Sequence, residues 1–178
     1  MVKSIVEKMI RFRNPTFQFD KQITSYILLA LLYSRFFCWL RGLKLLLYFK
    51  KPNFLFIGKG VKFFNTPNIS FGKWVQIQEH SYLSALGTGK LEIGNNVSIG
   101  AYSRIIISTS FNNIGKHIKI GNNVGMGEFA CLGGAGGLEI GDDCIIGSYL
   151  SCHPENHNFQ DAIMPIRFQG VSRKGIKI

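Results

Sequence analysis

Acidic side chains are scarce in this chain of 178 residues, where ten Asp and Glu stand against twenty-one Lys and Arg. The shortage is local. Residues 1–53 hold ten of the basic residues against Glu7 and Asp20 alone, so +8 of the net +11 lies there. That segment also lacks glycine, with Gly42 the single one of twenty, while residues 54–178 carry eleven basic and eight acidic side chains. Uniform basicity would suit nucleic acid. Basicity confined beside a hydrophobic block argues against that partner and for an anionic membrane surface. Cysteine is sparse too: Cys38, Cys131, Cys144 and Cys152 form no C-x-x-C pair and no metal-ligand spacing. Buried free thiols in a reducing cytoplasm are expected, with Cys144 at an interior or corner position. A secretory signal is missing, because the first twenty residues are charged and the apolar run starts near Ile23.

Long charge-free runs are missing as well. Within Ile23–Phe49 the longest is Ile23–Ser34, twelve residues, against the ~20 that span a bilayer. Extension to Phe49 brings in Arg35, Arg41 and Lys44. Ser34, Arg41 and Lys44 fall on one narrow polar stripe of a helix. The expectation for residues 23–49 is therefore in-plane membrane contact, with Trp39, Phe36 and Phe37 below the headgroups. Packing on the rest of the protein or on a neighbouring subunit is the alternative, and Pro52 closes the helical region.

What fills residues 54–178 is repetition. An aliphatic residue, Gly, two polar residues and a small or β-branched one recur at Ile57–Val61, Ile93–Val97, Ile120–Val124 and Ile140–Cys144. Further hexamers follow at Ile99-Gly100, Met126-Gly127 and Ile146-Gly147. Six residues are too few for a helical repeat unit and suit a solenoid of short strands with tight turns at Asn95, Asn96, Asn122 and Asn123. Intervals between aligned starts scatter around eighteen, so corners carry insertions at Leu86–Lys90, Ser108–Lys116 and Gly133–Gly137. The last is read as a turn and not as a phosphate loop, since no Lys-Ser/Thr follows it. After Cys152 the repeat lapses for HPENHNFQDAIMPIRFQGVSRK and resumes at Ile176. A regular coil that expels such a loop is expected to use it.

These hexamers resemble those of the hexapeptide-repeat acyltransferases, and within them the bacterial sugar O-acetyltransferases of the maltose and colanic-acid type. The resemblance spans residues 54–178. It implies an all-β, left-handed parallel β-helix with one extruded loop, beside the N-terminal helical segment. The sequence stops in mid-hexamer, either as a piece of a longer chain or as a protein lacking the family's last coils. The resemblance further implies a homotrimer with active sites between subunits, and residues 23–49 with the missing secretory signal lead to the expectation of a cytoplasmic protein at the inner face of the membrane. The implied reaction moves an acetyl group from acetyl-CoA, without a metal, to a hydroxyl of a sugar or glycan in bacterial surface polysaccharide synthesis. The acceptor, and O- against N-acetylation, stay open. The family phrase His-Asn/Asp-Phe/Tyr-x-Asp, then Pro and an aliphatic residue, matches His157–Asp161 and Pro165-Ile166, which makes His157 the expected general base. His153-Pro154 resembles a variant in which that pair is catalytic. Asn156 and Asp161 are expected to orient the imidazole or the acceptor, or else to cap the loop, and Glu128 is a weaker substrate-binding candidate. His80 and His117 read as surface or subunit-contact residues. Two alternatives remain: a zinc enzyme of the γ-carbonic anhydrase kind, for which the H-x3-H spacing of His153 and His157 is wrong, and a non-catalytic scaffold.

Overall fold

The computed structural model describes residues 2–11 and 15–178. Two compact units result, Met1–Cys38 and Trp39–Ile178. In the first, α1 (Val2–Arg11) sets Lys3, Lys8 and Arg11 among apolar residues, and Arg11 pairs with Glu7 one turn back at 2.7 Å. Helix α2 (Ser25–Gly42) begins where Thr24 caps it, its hydroxyl accepting from the Ile27 N–H at 3.3 Å. A 3-10 segment, Leu43–Tyr48, continues it and stops at Phe49, whose left-handed backbone turns its N–H back to Leu46 O. The run Ser25–Tyr48 has 24 residues and holds an 18-residue window of mean hydropathy 1.3, long and apolar enough to cross a membrane by length and composition, although its longest uncharged stretch, Ser25–Ser34, has only ten residues.

The composition break near Asn53 and the structural boundary differ. Trp39 to Asn53 belongs with the strands because Leu45, 1% exposed, shares a core cluster with Leu55 and Ile57. The strands follow in threes. The first coil holds β1 (Phe56–Ile57), β2 (Lys62–Phe64) and β3 (Ile69–Phe71), and the second β4 (Gln76–Ile77), β5 (Tyr82–Ser84) and β6 (Leu91–Ile93). The third has β7 (Ser98–Ile99), β8 (Arg104–Ile106) and β9 (Ile118–Ile120), and the fourth β10 (Gly125–Met126), β11 (Cys131–Gly133) and β12 (Leu138–Ile140). Then come β13 (Ile145–Ile146), β14 (Ser151–Cys152), an antiparallel pair β15 (Glu155–His157) and β16 (Val171–Arg173), and β17 (Ile176–Lys177).

Three five-stranded sheets gather every third strand: β1-β4-β7-β10-β13, β2-β5-β8-β11-β14 and β3-β6-β9-β12-β17. All their pairings are parallel. Stacked parallel sheets visited in rotation are compatible with the expected β-helix and exclude an antiparallel sandwich. Register places like on like. Ile57, Ile77, Ile99 and Met126 form one buried column, and Leu83, Ile105, Leu132 and Cys152 another. Each such aliphatic side chain contributes roughly 1.5–3 kcal/mol by burial. Four cysteines are free, yet only Cys152 is buried. Cys144 follows Val75, Val97 and Val124 in their column but stands on the last rung, half-buried.

The corners explain the hexamer's polar pair. Between the third and first sheets Asn96, Asn123 and Asp143 all adopt positive φ. Their side chains run as a ladder: Asn96 Nδ2 donates to Asn123 Oδ1 at 3.0 Å, and Asn123 Nδ2 to Asp143 Oδ1 at 2.8 Å. Asn95 and Asn122 make a second ladder beside it. Gly94 is forced by closeness, since a Cβ there would lie 2.5 Å from Gly121 O in the next coil. Between the first and second sheets, His80, Tyr102, Phe129 and Tyr149 occupy the left-handed position and stack ring on ring at 5.0–5.3 Å. The third corner, between the second and third sheets, collects every expected insertion.

Candidate functional site

The extruded residues form a hairpin at that third corner, leaving after β14 and returning into β17. A strand's period of two sets His153, Glu155 and His157 on one side and Asn156 on the other. The first three line a groove of about 370 Å³ with Ser108, Thr109, Cys131 and Ala135. Asn156 instead lines an opening of about 470 Å³ with Lys174 and Gly175, on which His153 and Glu155 also border. Both histidines thus reach one groove, walled by the 108–110 segment and the glycine-rich corner. Gly136 matters here, because a Cβ on it would collide with the Pro154 carbonyl of the hairpin's base.

The hairpin is pinned by a residue pair that sequence reading missed. Arg173 Nε donates to Glu155 Oε2 at 2.6 Å, while its other nitrogens donate to Ile114 O at 2.9 Å and Asn113 O at 2.8 Å. One guanidinium ties both hairpin strands to the neighbouring insertion, using its planar fork. The visible signal was H-x-E-x-H itself: read with a period of two, it puts a carboxylate between two imidazoles. At the far end Asn158 Nδ2 donates to Gln169 O at 3.0 Å. Gln169 Nε2 in turn donates to Asp161 O and Met164 O, both at 2.7 Å.

The two imidazoles differ in support. His153 Nε2 lies 2.8 Å from Ser151 Oγ, which fixes its ring plane. The His157 side chain makes no hydrogen bond among the described residues and projects, exposed, from the end of β15. Asp161 is spent on its own loop: its Oδ1 accepts from Ile163 N at 2.8 Å and Met164 N at 3.0 Å. Those two N–H groups hold its carboxyl below the usual carboxylate range. These two bonds cap the loop tip. Glu128 stands at a different corner, in the turn between β10 and β11, where its carbonyl accepts from Tyr149 N. The structure therefore brings together His153 and His157 in one groove, keeps Asn156 on the hairpin's opposite side, and places Asp161 at the tip and Glu128 elsewhere.

His80 belongs to the ring stack. His117 packs at Gly137, with Nε2 3.4 Å from Glu139 Oε1, while Lys177 Nζ reaches Glu139 Oε2 at 3.0 Å. Lys177 first, and His117 after it, draw the Glu139 carboxyl below its ordinary value. This cluster ties β17 back to the coil below the groove. Burial pushes the Cys152 thiol up, so it is a poor nucleophile. Among the described residues no three His, Cys, Asp or Glu side chains gather as a metal site would need. Compared with family models, with curated proteins and with solved structures, the chain finds no match.

Proposed function

We propose that the chain is an acetyltransferase that moves an acetyl group from acetyl-CoA to a hydroxyl of a sugar or glycan. The observation that carries this is the pair of imidazoles, His153 and His157, turned into one open groove on the hairpin that the coil expels. A thioester is already activated. Transfer needs the acceptor O–H deprotonated as its oxygen attacks the thioester carbonyl, and needs the thiolate of coenzyme A reprotonated as the C–S bond breaks. His157 takes the proton and returns it to the leaving sulfur, and no acyl-enzyme forms. His153 competes for this role on one specific ground: Ser151 gives it the fixed ring orientation that a general base uses.

The reading extends to the finer architecture. The coil is a left-handed β-helix, and three copies pack their flat faces into a homotrimer whose grooves lie between subunits. The basic, apolar segment 23–49 holds the protein at the inner face of the membrane, where glycan intermediates of surface polysaccharides are assembled. A zinc enzyme would need a third ligand from a neighbouring copy, and a scaffold would have no use for the groove. Incubation with labelled acetyl-CoA and a panel of sugars, nucleotide sugars and lipid-linked glycans tests the proposal. Label transferred to a hydroxyl of one acceptor class supports it. Absence of both transfer and acetyl-CoA binding favours the scaffold, and stoichiometric zinc that is needed for carbon dioxide hydration favours the zinc enzyme.

A further inference from the structure

Far along the chain from the hairpin groove, a hollow of about 540 Å³ opens at the first coil. Leu45 and Ile57 are its apolar floor, both buried. Lys44, Lys59 and Lys62 stand around it with Tyr48 and Tyr82, Arg41 borders it too, and no carboxylate lines it. Among the described residues the ammonium groups of Lys44, Lys59 and Lys62 take part in no ion pair or hydrogen bond. Three cations thus line one hollow without a counter-ion, an arrangement that favours an anion with several oxygens to accept from them. The Tyr82 ring is held in place by the Arg104 guanidinium, 5.5 Å from its centroid.

The rim points to what carries the anion. The segment that supplies Lys44 and Tyr48 also presents Leu46, Leu47 and Phe49 to solvent, Leu47 at 79% and Phe49 at 100% exposure. It ends the apolar helical run Ser25–Tyr48. A free phosphate would satisfy the lysines and leave these side chains in water; a lipid phosphate covers both. We infer that this hollow binds the phosphate headgroup of an anionic lipid, with Leu47 and Phe49 against its acyl chains.

This inference does not depend on acetyl transfer. It has a topological connection to the groove all the same. Lys62 and Tyr82 head an outward row of the second sheet that continues through Arg104 and Cys131 to Ser151, the partner of His153. Four rungs at about 4.8 Å make that row roughly 19 Å long.

The test uses the full chain in neutral detergent, titrated calorimetrically with short-chain phosphatidic acid, short-chain phosphatidylcholine and inorganic phosphate. Phosphatidic acid should bind, more weakly at high salt, and better than either control. The triple variant K44Q/K59Q/K62Q should bind it about 100-fold more weakly. The matched triple K90Q/K116Q/K119Q, with the same loss of charge elsewhere, should stay near wild type. The single variant K62Q, which alters one exposed side chain, should show a smaller loss of about fivefold. Equal affinity for inorganic phosphate would make this a free-anion site and overturn the lipid assignment. Equal binding of phosphatidylcholine, equal losses in the two triple variants, or no binding at all would overturn the site itself.

Discussion

Single residues decide whether this coil can close. Gly94 has the backbone of the next turn where a Cβ would go, 2.5 Å from Gly121 O. Gly94→Ala should therefore destabilise the protein by about 1–3 kcal/mol, the usual cost of overpacking, read as a lower melting midpoint in urea. Asp161 makes a pH-dependent prediction. Its carboxyl is held low by the N–H groups of Ile163 and Met164. A depressed folded pKa gives stability that is full above the unfolded value and lost as pH falls through the folded one. The hairpin tip should hence loosen only below about pH 3.8, the ordinary value. Asp161→Ala should loosen it at neutral pH, with faster hydrogen exchange at the Ile163 and Met164 amides and none at the Gly94 corner. Burial raises the Cys152 thiol, so alkylation at mildly alkaline pH should reach Cys152 last of the four cysteines.

At the scale of elements, the sequence displayed what repeats and hid what pairs. The hexamers exposed the strands, the corners at Asn95-Asn96 and Asn122-Asn123, and the point where a loop leaves, because each is written in local spacing. The ring stack His80–Tyr102–Phe129–Tyr149 was missed. Its members lie a coil apart, and bulky side chains at positive φ run against local preference. Stacking offsets that strain at about 0.5–1.5 kcal/mol per pair. Phe129→Ala, which removes two stacked contacts and keeps the strained backbone, should cost about 1–3 kcal/mol. The Glu155–Arg173 pair was hidden for a related reason, as antiparallel pairing inside the extruded segment sets its partners eighteen residues apart. Arg173→Ala should release the hairpin from Asn113 and Ile114, lowering the transfer rate while leaving the melting midpoint of the coil nearly unchanged.

For the whole molecule, composition divides the chain near Asn53 and packing divides it after Cys38. The helical run keeps going to Tyr48, and its last turns belong to the sheet unit through Leu45. Removal of residues 1–38, and not of the first fifty, thus tests what the first unit adds to membrane attachment while leaving Leu45 in the core. The shortened chain keeps the hollow at Lys44, Lys59 and Lys62, so it should sediment with anionic vesicles less than the full chain but more than a shortened chain that also carries K44Q/K59Q/K62Q. Equal sedimentation of the full and shortened chains would make residues 1–38 structural. Light scattering of the full chain in detergent should give three copies per particle. The central claim is that the hairpin groove is a site of general-base acetyl transfer. It is tested most directly by the turnover number and the acetyl-CoA dissociation constant of His157→Ala and His153→Ala, measured beside wild type. The expected result is a fall in kcat of about 10²–10⁴-fold for His157→Ala, a smaller fall for His153→Ala, and acetyl-CoA binding nearly unchanged in both. A large fall for His153→Ala alone would move the proton to the imidazole held by Ser151. Full activity in both variants would contradict the claim.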